Sequence, residues 1–142
     1  MTFATLTATA TILLAPAVPG IERLDTPEAT GSQLLSAMIM VESSGNDRAV
    51  GAKGETGSLQ ISKVLLRDLT RITGRTYAVR DTFNRATSCQ IAVTYLTYYV
   101  NEARLKRPPT ARDYALVWNR GPNGWKKVGY DPYWAKVQQH LP

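Results

Sequence analysis

Glu42 is the residue in this chain whose type and setting speak most directly of chemistry. Leu34, Leu35, Met38, Val41 and Glu42 fall at i, i+1, i+4, i+7 and i+8, one face of a 3.6-residue period. The pattern puts a carboxyl on the apolar stripe of a helix, in line with Met38 and Ile39. Desolvation disfavours the charged form, so a carboxyl placed there keeps its proton to higher pH than one in water. A carboxylic acid still protonated near neutrality is what glycosidic cleavage needs, because the leaving oxygen must receive a proton. Periodicity alone leaves open the plainer alternative, a glutamate at a helix end turned out to solvent.

Other chemistries find little support in the residue inventory. Cys89 is the only cysteine and His140 the only histidine. No intramolecular disulfide can form, and a zinc site built from several such ligands is excluded. A Ser-His-Asp or Cys-His arrangement would depend on His140, close to the end of the sequence, a poor place to organise a site. Carboxylates remain as the acid-base groups. Glu55 is the candidate for a second carboxylate beside Glu42, and Asp47 a weaker one.

The elements that must position these groups are mostly helical. At 142 residues the chain suits one domain with a real hydrophobic core. A helix is predicted over 31–44, followed by a glycine-rich stretch over 44–60 that reads as loops or a short hairpin. Residues 62–73 form a second helix stopped by Gly74. After about ten residues of turn, a long helix runs from Asn84 toward Lys106 and ends before Pro108-Pro109. Thr110 and Asp113 have capping-box spacing for a helix ending near Asn119–Pro122. Asp131-Pro132 opens a last short helix, with the Asp as cap and the Pro at the first helical position. The expectation is a mainly α domain of about five helices.

Residues 1–20 carry no charge, and Ile12-Leu13-Leu14 before Ala15-Pro16-Ala17 has the look of an apolar core with a small-residue cleavage site. A secretory leader over 1–20 and a folded domain over 21–142 are therefore expected, although the basic start of such a leader is missing. Net charge is +6 and uneven: residues 21–60 hold three basic and six acidic side chains, residues 61–142 fourteen and five. A basic surface of this kind suits an anionic polymer such as nucleic acid, cell-wall material or a membrane surface. An ordinary solvated surface is the plainer reading.

A series of short motifs narrows the choice. Glu42-Ser43-Ser44-Gly45-Asn46 is followed by Gly54-Glu55-Thr56-Gly57-Ser58-Leu59-Gln60-Ile61. Then come Tyr95-Leu96, Ala115-Leu116-Val117-Trp118-Asn119-Arg120-Gly121-Pro122, and Tyr133-Trp134-Ala135-Lys136-Val137. In this order, over roughly residues 32–138, the series resembles the soluble (SLT) type of lytic transglycosylase. The resemblance implies an α+β lysozyme-like fold, with the glycine-rich segment after the catalytic helix. It matches Glu42 to the family's catalytic glutamate and Ser43 to its neighbour in the Glu-Ser motif. Gln60 matches the glutamine that lines the glycan groove, and Tyr95 the tyrosine of the Tyr-Leu motif. Trp118 and Asn119 stand where the family has Tyr-Asn, and Ser58 where it usually has Leu. The tryptophan keeps an aromatic face but loses a hydroxyl, and its N–H can donate but not accept.

The implied reaction is cleavage of the β-1,4 bond between N-acetylmuramic acid and N-acetylglucosamine in peptidoglycan. Glu42 would act as acid and then as base, leaving 1,6-anhydro ends, and neither metal nor organic cofactor would be required. The nearest alternative is a hydrolytic lysozyme in which Glu55 holds a water, at about 6.5–9.5 Å from the acid if the reaction inverts. A basic helical nucleic-acid-binding domain would explain the charge but not the ordered motifs, which speak against nucleic acid as partner. A monomer acting in the periplasm or outside the cell is expected. A secretion or conjugation apparatus, or a phage assembly, would be a fitting context.

Overall fold

The computed structural model describes residues 18–142; the apolar segment anticipated as a leader lies, up to Ala17, outside the described residues. Val18, on the leader side of the expected boundary, is buried in the domain core. Its carbonyl accepts from Ile21 N at 3.2 Å, at the start of a 3-10 turn over Ile21–Leu24.

The fold is mainly helical. Among the described residues six α-helical segments occur: α1 Gly31–Ser43, α2 Lys63–Thr73, α3 Arg85–Tyr99, α4 Glu102–Leu105, α5 Ala111–Arg120 and α6 Pro132–Gln138. Local chemistry sets most of their ends. Thr30 and Gln33 form a capping box before α1, and Ser62 accepts from Leu65 N at the start of α2. Gly74 closes α2 in the left-handed conformation at φ 71°. Thr110 with Asp113 caps α5, and Asp131 caps α6 with Pro132 at its first turn.

The long helix expected toward Lys106 is in fact two. It breaks at Val100, which is extended at φ −119° and ψ 98°, and Asn101 restarts a single turn by accepting from Arg104 N. The apolar pattern runs through the break, but the Asn side chain offers the backbone an alternative to continued helix.

α1 is the central element. Leu34, Leu35, Met38 and Ile39 are all fully buried, so the helix is enclosed at its middle rather than along one stripe. It packs against α6 and the Ile21–Leu24 turn, while α3 packs against that same turn, α2 and α5.

Residues 44–62 form the wall opposite the end of α1. Two antiparallel bridges, Val50 to Thr56 and Thr56 to Ile61, make a rudimentary hairpin in place of a sheet. Buried hydroxyls fasten it. Thr56 Oγ1 lies 2.6 Å from Thr82 Oγ1, and Thr82 O in turn accepts from Ser88 Oγ on α3 at 2.6 Å. Gly57 permits this close seating, with φ at 79° and Thr82 O only 2.0 Å from where a Cβ would stand.

Gly57→Ala should therefore be strongly destabilising, with about 1–3 kcal/mol from backbone strain alone and the collision in addition. Gly74→Ala, also at positive φ but with open space around it, supplies the strain without the collision. Thermal melts should place Gly57→Ala well below Gly74→Ala; equal midpoints would show that the contact with Thr82 does not constrain the segment.

Candidate active site

Glu42 occupies the last turn of α1, partly buried, at the edge of a cleft of about 370 Å³. Glu55, Gln60, Trp118 and Asn119 line the same cleft, with Gly51, Ser62 and Leu65 completing its walls. Three separated stretches of sequence thus meet there: the end of α1, the glycine-rich segment running into α2, and the end of α5.

Burial raises the pKa of the Glu42 carboxyl from the ordinary value near 4.5 to about 7, and the negative charge of Glu55 adds to the effect. One contact works the other way. Tyr133, in the first turn of α6, donates its hydroxyl to Glu42 Oε1 at 2.8 Å and so favours the carboxylate. Tyr133 is itself buried, and burial together with the neighbouring Glu42 pushes its pKa well above the usual tyrosine value. It therefore stays a donor whichever form Glu42 takes.

Tyr133 was not singled out as a site residue from sequence, although it opens the last of the motifs. Its aim depends on the buried carboxylate of Asp131. One oxygen caps α6 through Trp134 N at 3.0 Å, and the other takes Arg120 Nη2 at 2.6 Å. Arg120 directly follows Trp118 and Asn119, so this ion pair links the cleft-lining end of α5 to the helix that carries Tyr133.

Gln60 faces the cleft from a left-handed backbone at φ 51°, and its Nε2 donates to Gly57 O at 3.0 Å and Ala49 O at 3.4 Å. Such a conformation is costly for a non-glycine residue and persists where its surroundings hold it. Gly51 lies directly beneath: a Cβ there would meet Gln60 Oε1 at 2.5 Å and Glu55 Oε2 at 2.6 Å. The Trp118 indole donates to Leu59 O at 3.3 Å, so its N–H is spent tying α5 to the glycine-rich segment. Tyr95 is behind it, edge-on at 6.0 Å between ring centres, and buried rather than cleft-lining. Ser43 is also not among the cleft-lining residues. Its hydroxyl donates to Ser58 O at 2.8 Å and accepts from Asn46 N at 3.1 Å, which fastens the end of α1 to the opposite wall. Ser58, in the position where leucine was expected, is fully buried. Asp47 is engaged by Arg85, which also donates to Gly45 O at 2.6 Å.

The raised pKa has a consequence for stability. Glu42 holds its proton more tightly folded than unfolded, so its contribution is intact below about pH 4.5 and is lost as pH rises through about 7. Glu42→Gln removes the titration. Its thermal midpoint should gain on the wild type between pH 5 and pH 8; a constant difference over that range would contradict the burial of this carboxyl.

The arrangement offers a protonated carboxyl, a fixed phenolic donor and polar groups along one cleft, which is equipment for acid-base work on a polar polymer. No curated protein matches the chain. The family model of the transglycosylase SLT domain matches residues 22–138, which include every cleft residue named above. The chain belongs to the transglycosylase SLT domain family and is a peptidoglycan lytic transglycosylase.

Proposed function

We propose that Glu42 performs both proton transfers in cleavage of the β-1,4 bond between N-acetylmuramic acid and N-acetylglucosamine. The carboxylic acid gives its proton to the glycosidic oxygen as the bond to the muramic acid anomeric carbon breaks. The resulting carboxylate then takes the proton of the muramic acid 6-hydroxyl, whose oxygen bonds to that carbon. A 1,6-anhydro end results, no water is consumed, and Glu42 finishes protonated as it began. Tyr133 holds the carboxyl in place and eases the moment at which it is charged. Gln60, Trp118 and Asn119 are the cleft residues proposed to contact the glycan, with Tyr95 supporting Trp118 from behind.

The observation that carries this reading is the state of Glu42: a carboxyl with a pKa of about 7, in a cleft, with a donor on one oxygen. Such a group is divided between acid and base at neutral pH, which suits one residue to both roles. Hydrolysis is the second reading, favoured by the position of Glu55 in the same cleft and its influence on Glu42. Against it, a Glu55 oxygen accepts from Lys53 N at 3.2 Å within its own loop. The site of action that follows is the periplasm or the cell exterior, where the wall lies.

Digestion of purified peptidoglycan followed by mass analysis separates the two. The proposal expects 1,6-anhydro ends, each lighter by one water than the hydrolytic product. General acid-base catalysis is typically worth about 10²–10⁴-fold, so Glu42→Gln should lose nearly all activity while remaining folded. Glu55→Gln should keep substantial activity with the same products. Reducing ends that vanish in Glu55→Gln would establish hydrolysis, and an active Glu42→Gln would overturn both readings.

A further inference from the structure

We propose that Tyr98 and Arg104 form a second binding patch beside the cleft, which engages a peptide-bearing, anionic saccharide of the strand being cleaved. The proposal rests on the reading of the cleft as the place where that strand is cut.

Two routes lead from the cleft to this patch. The first is a chain of aromatic rings. Trp118 lines the cleft and meets Tyr95 edge-on at 6.0 Å; Tyr95 meets Tyr99 at 4.9 Å, and Tyr99 meets Tyr98 edge-on at 4.9 Å. Tyr95 and Tyr99 are buried, whereas Tyr98 is 48% exposed at the end of the chain, a large ring held in place from behind. The second route follows the backbone beyond α5. Asn119 is on the cleft wall, and the segment just after it is held by Arg104, whose Nη2 donates to Pro122 O at 3.0 Å and Asn123 Oδ1 at 3.1 Å. The same guanidinium lies 5.3 Å from the centre of the Tyr99 ring. Both routes meet at Tyr99, which touches the Tyr98 ring and the Arg104 guanidinium.

Charge indicates what the patch would hold. Arg71 and Asp68 neutralise each other there at 2.7 Å, and Tyr99 donates its hydroxyl to Asp68. Arg104, by contrast, bonds to neutral acceptors and is in no ion pair among the described residues. The segment 102–107 adds one acid and three bases, of which Arg107 is taken by Asp113. A net positive charge therefore stands on the segment after α3, with only Tyr99 between Arg104 and the exposed Tyr98 ring. The N-acetylated sugars of the glycan are neutral, apart from the lactyl carboxyl of muramic acid, which is itself amide-linked when a peptide is attached. The carboxylates of intact strands are those of the peptides, and a guanidinium is suited to pair with them. Tyr98 offers a face for a sugar ring, and Arg104 a cation for the peptide carried by the same or the next muramic acid.

Kinetics on strands of matched length, with multiple peptide carboxylates intact or with the peptides removed by an amidase, test this. Removal uncovers the lactyl carboxyl, so the comparison asks whether Arg104 responds to the peptide. Wild type should show the lower KM on intact strands. Arg104→Gln should raise that KM by about three- to tenfold more than it raises the KM on stripped strands, whatever the loss of its bonds to Pro122 and Asn123 does to both strands alike. Arg104→Lys, which keeps the charge, should recover much of the preference, and added salt should erase it. Tyr98→Ala should raise KM on both strands with kcat held. Equal wild-type KM on the two strands, or an Arg104→Gln effect that is the same on both, would overturn the proposal. The result is a ratio of KM values on two strands, so it can be read whether the product ends are anhydro or reducing. The chemistry of Glu42 and the patch can thus fail separately.

Discussion

The hydrogen bond from Tyr133 to Glu42 is the contact on which the rest of the site depends. A buried carboxyl left alone would keep its proton well above neutral pH and give it up reluctantly, because its charged form would be without solvation. One phenolic donor at 2.8 Å offsets part of that cost without abolishing it. The balance leaves the group near pH 7, where both protonation states are accessible. To hold that balance, the end of α1 and the first turn of α6 must keep a fixed distance although they are far apart in sequence. The fully buried middle of α1 and the Arg120–Asp131 pair provide the rigidity.

The opposite wall follows a different logic. Residues 44–62 have little regular structure, and their shape comes from hydroxyls and backbone groups used as ties: Thr56 to Thr82, Ser43 to Ser58, Gly51 N to Glu55 O at 2.7 Å. Gly51 and Gly57 allow side chains and backbone to approach more closely than a Cβ would permit. The price is a strained Gln60, held at positive φ with its amide nitrogen turned into the loop. A cleft between a rigid helix end and a tied loop keeps its polar groups in place before substrate arrives.

Most of the fold was legible because its signals are local. The caps at Ser62, Thr110 and Asp131 are each read from a few adjacent residues, and the period through Leu34, Met38 and Glu42 marks α1. The break at Val100 was missed because the apolar pattern continues across it while a single Asn redirects the backbone. In the site, Glu42 stood out through its own helix, whereas Tyr133 joins it from 91 residues away. No periodicity carries that pairing; the Asp131-Pro132 start of α6 was the nearest signal, and it gave the helix without its aim. Ser43 is legible as the partner of Glu42 in the Glu-Ser motif; that its hydroxyl is given to Ser58 O depends on tertiary packing. Exchange of a phenol for an indole at Trp118 was legible as a lost hydroxyl; that its N–H would be used on Leu59 O depended on tertiary packing.

Catalysis by Glu42 requires that its carboxyl be neutral for an appreciable part of the time at physiological pH. A carboxyl ¹³C NMR titration of the glutamate side chains, with the Glu42 signal assigned through Glu42→Gln, observes this directly and without substrate. One glutamate should titrate with a midpoint near 7 and be absent from the Glu42→Gln spectrum. A Glu42 carboxyl titrating near the ordinary value of 4.5 would contradict its role as the acid.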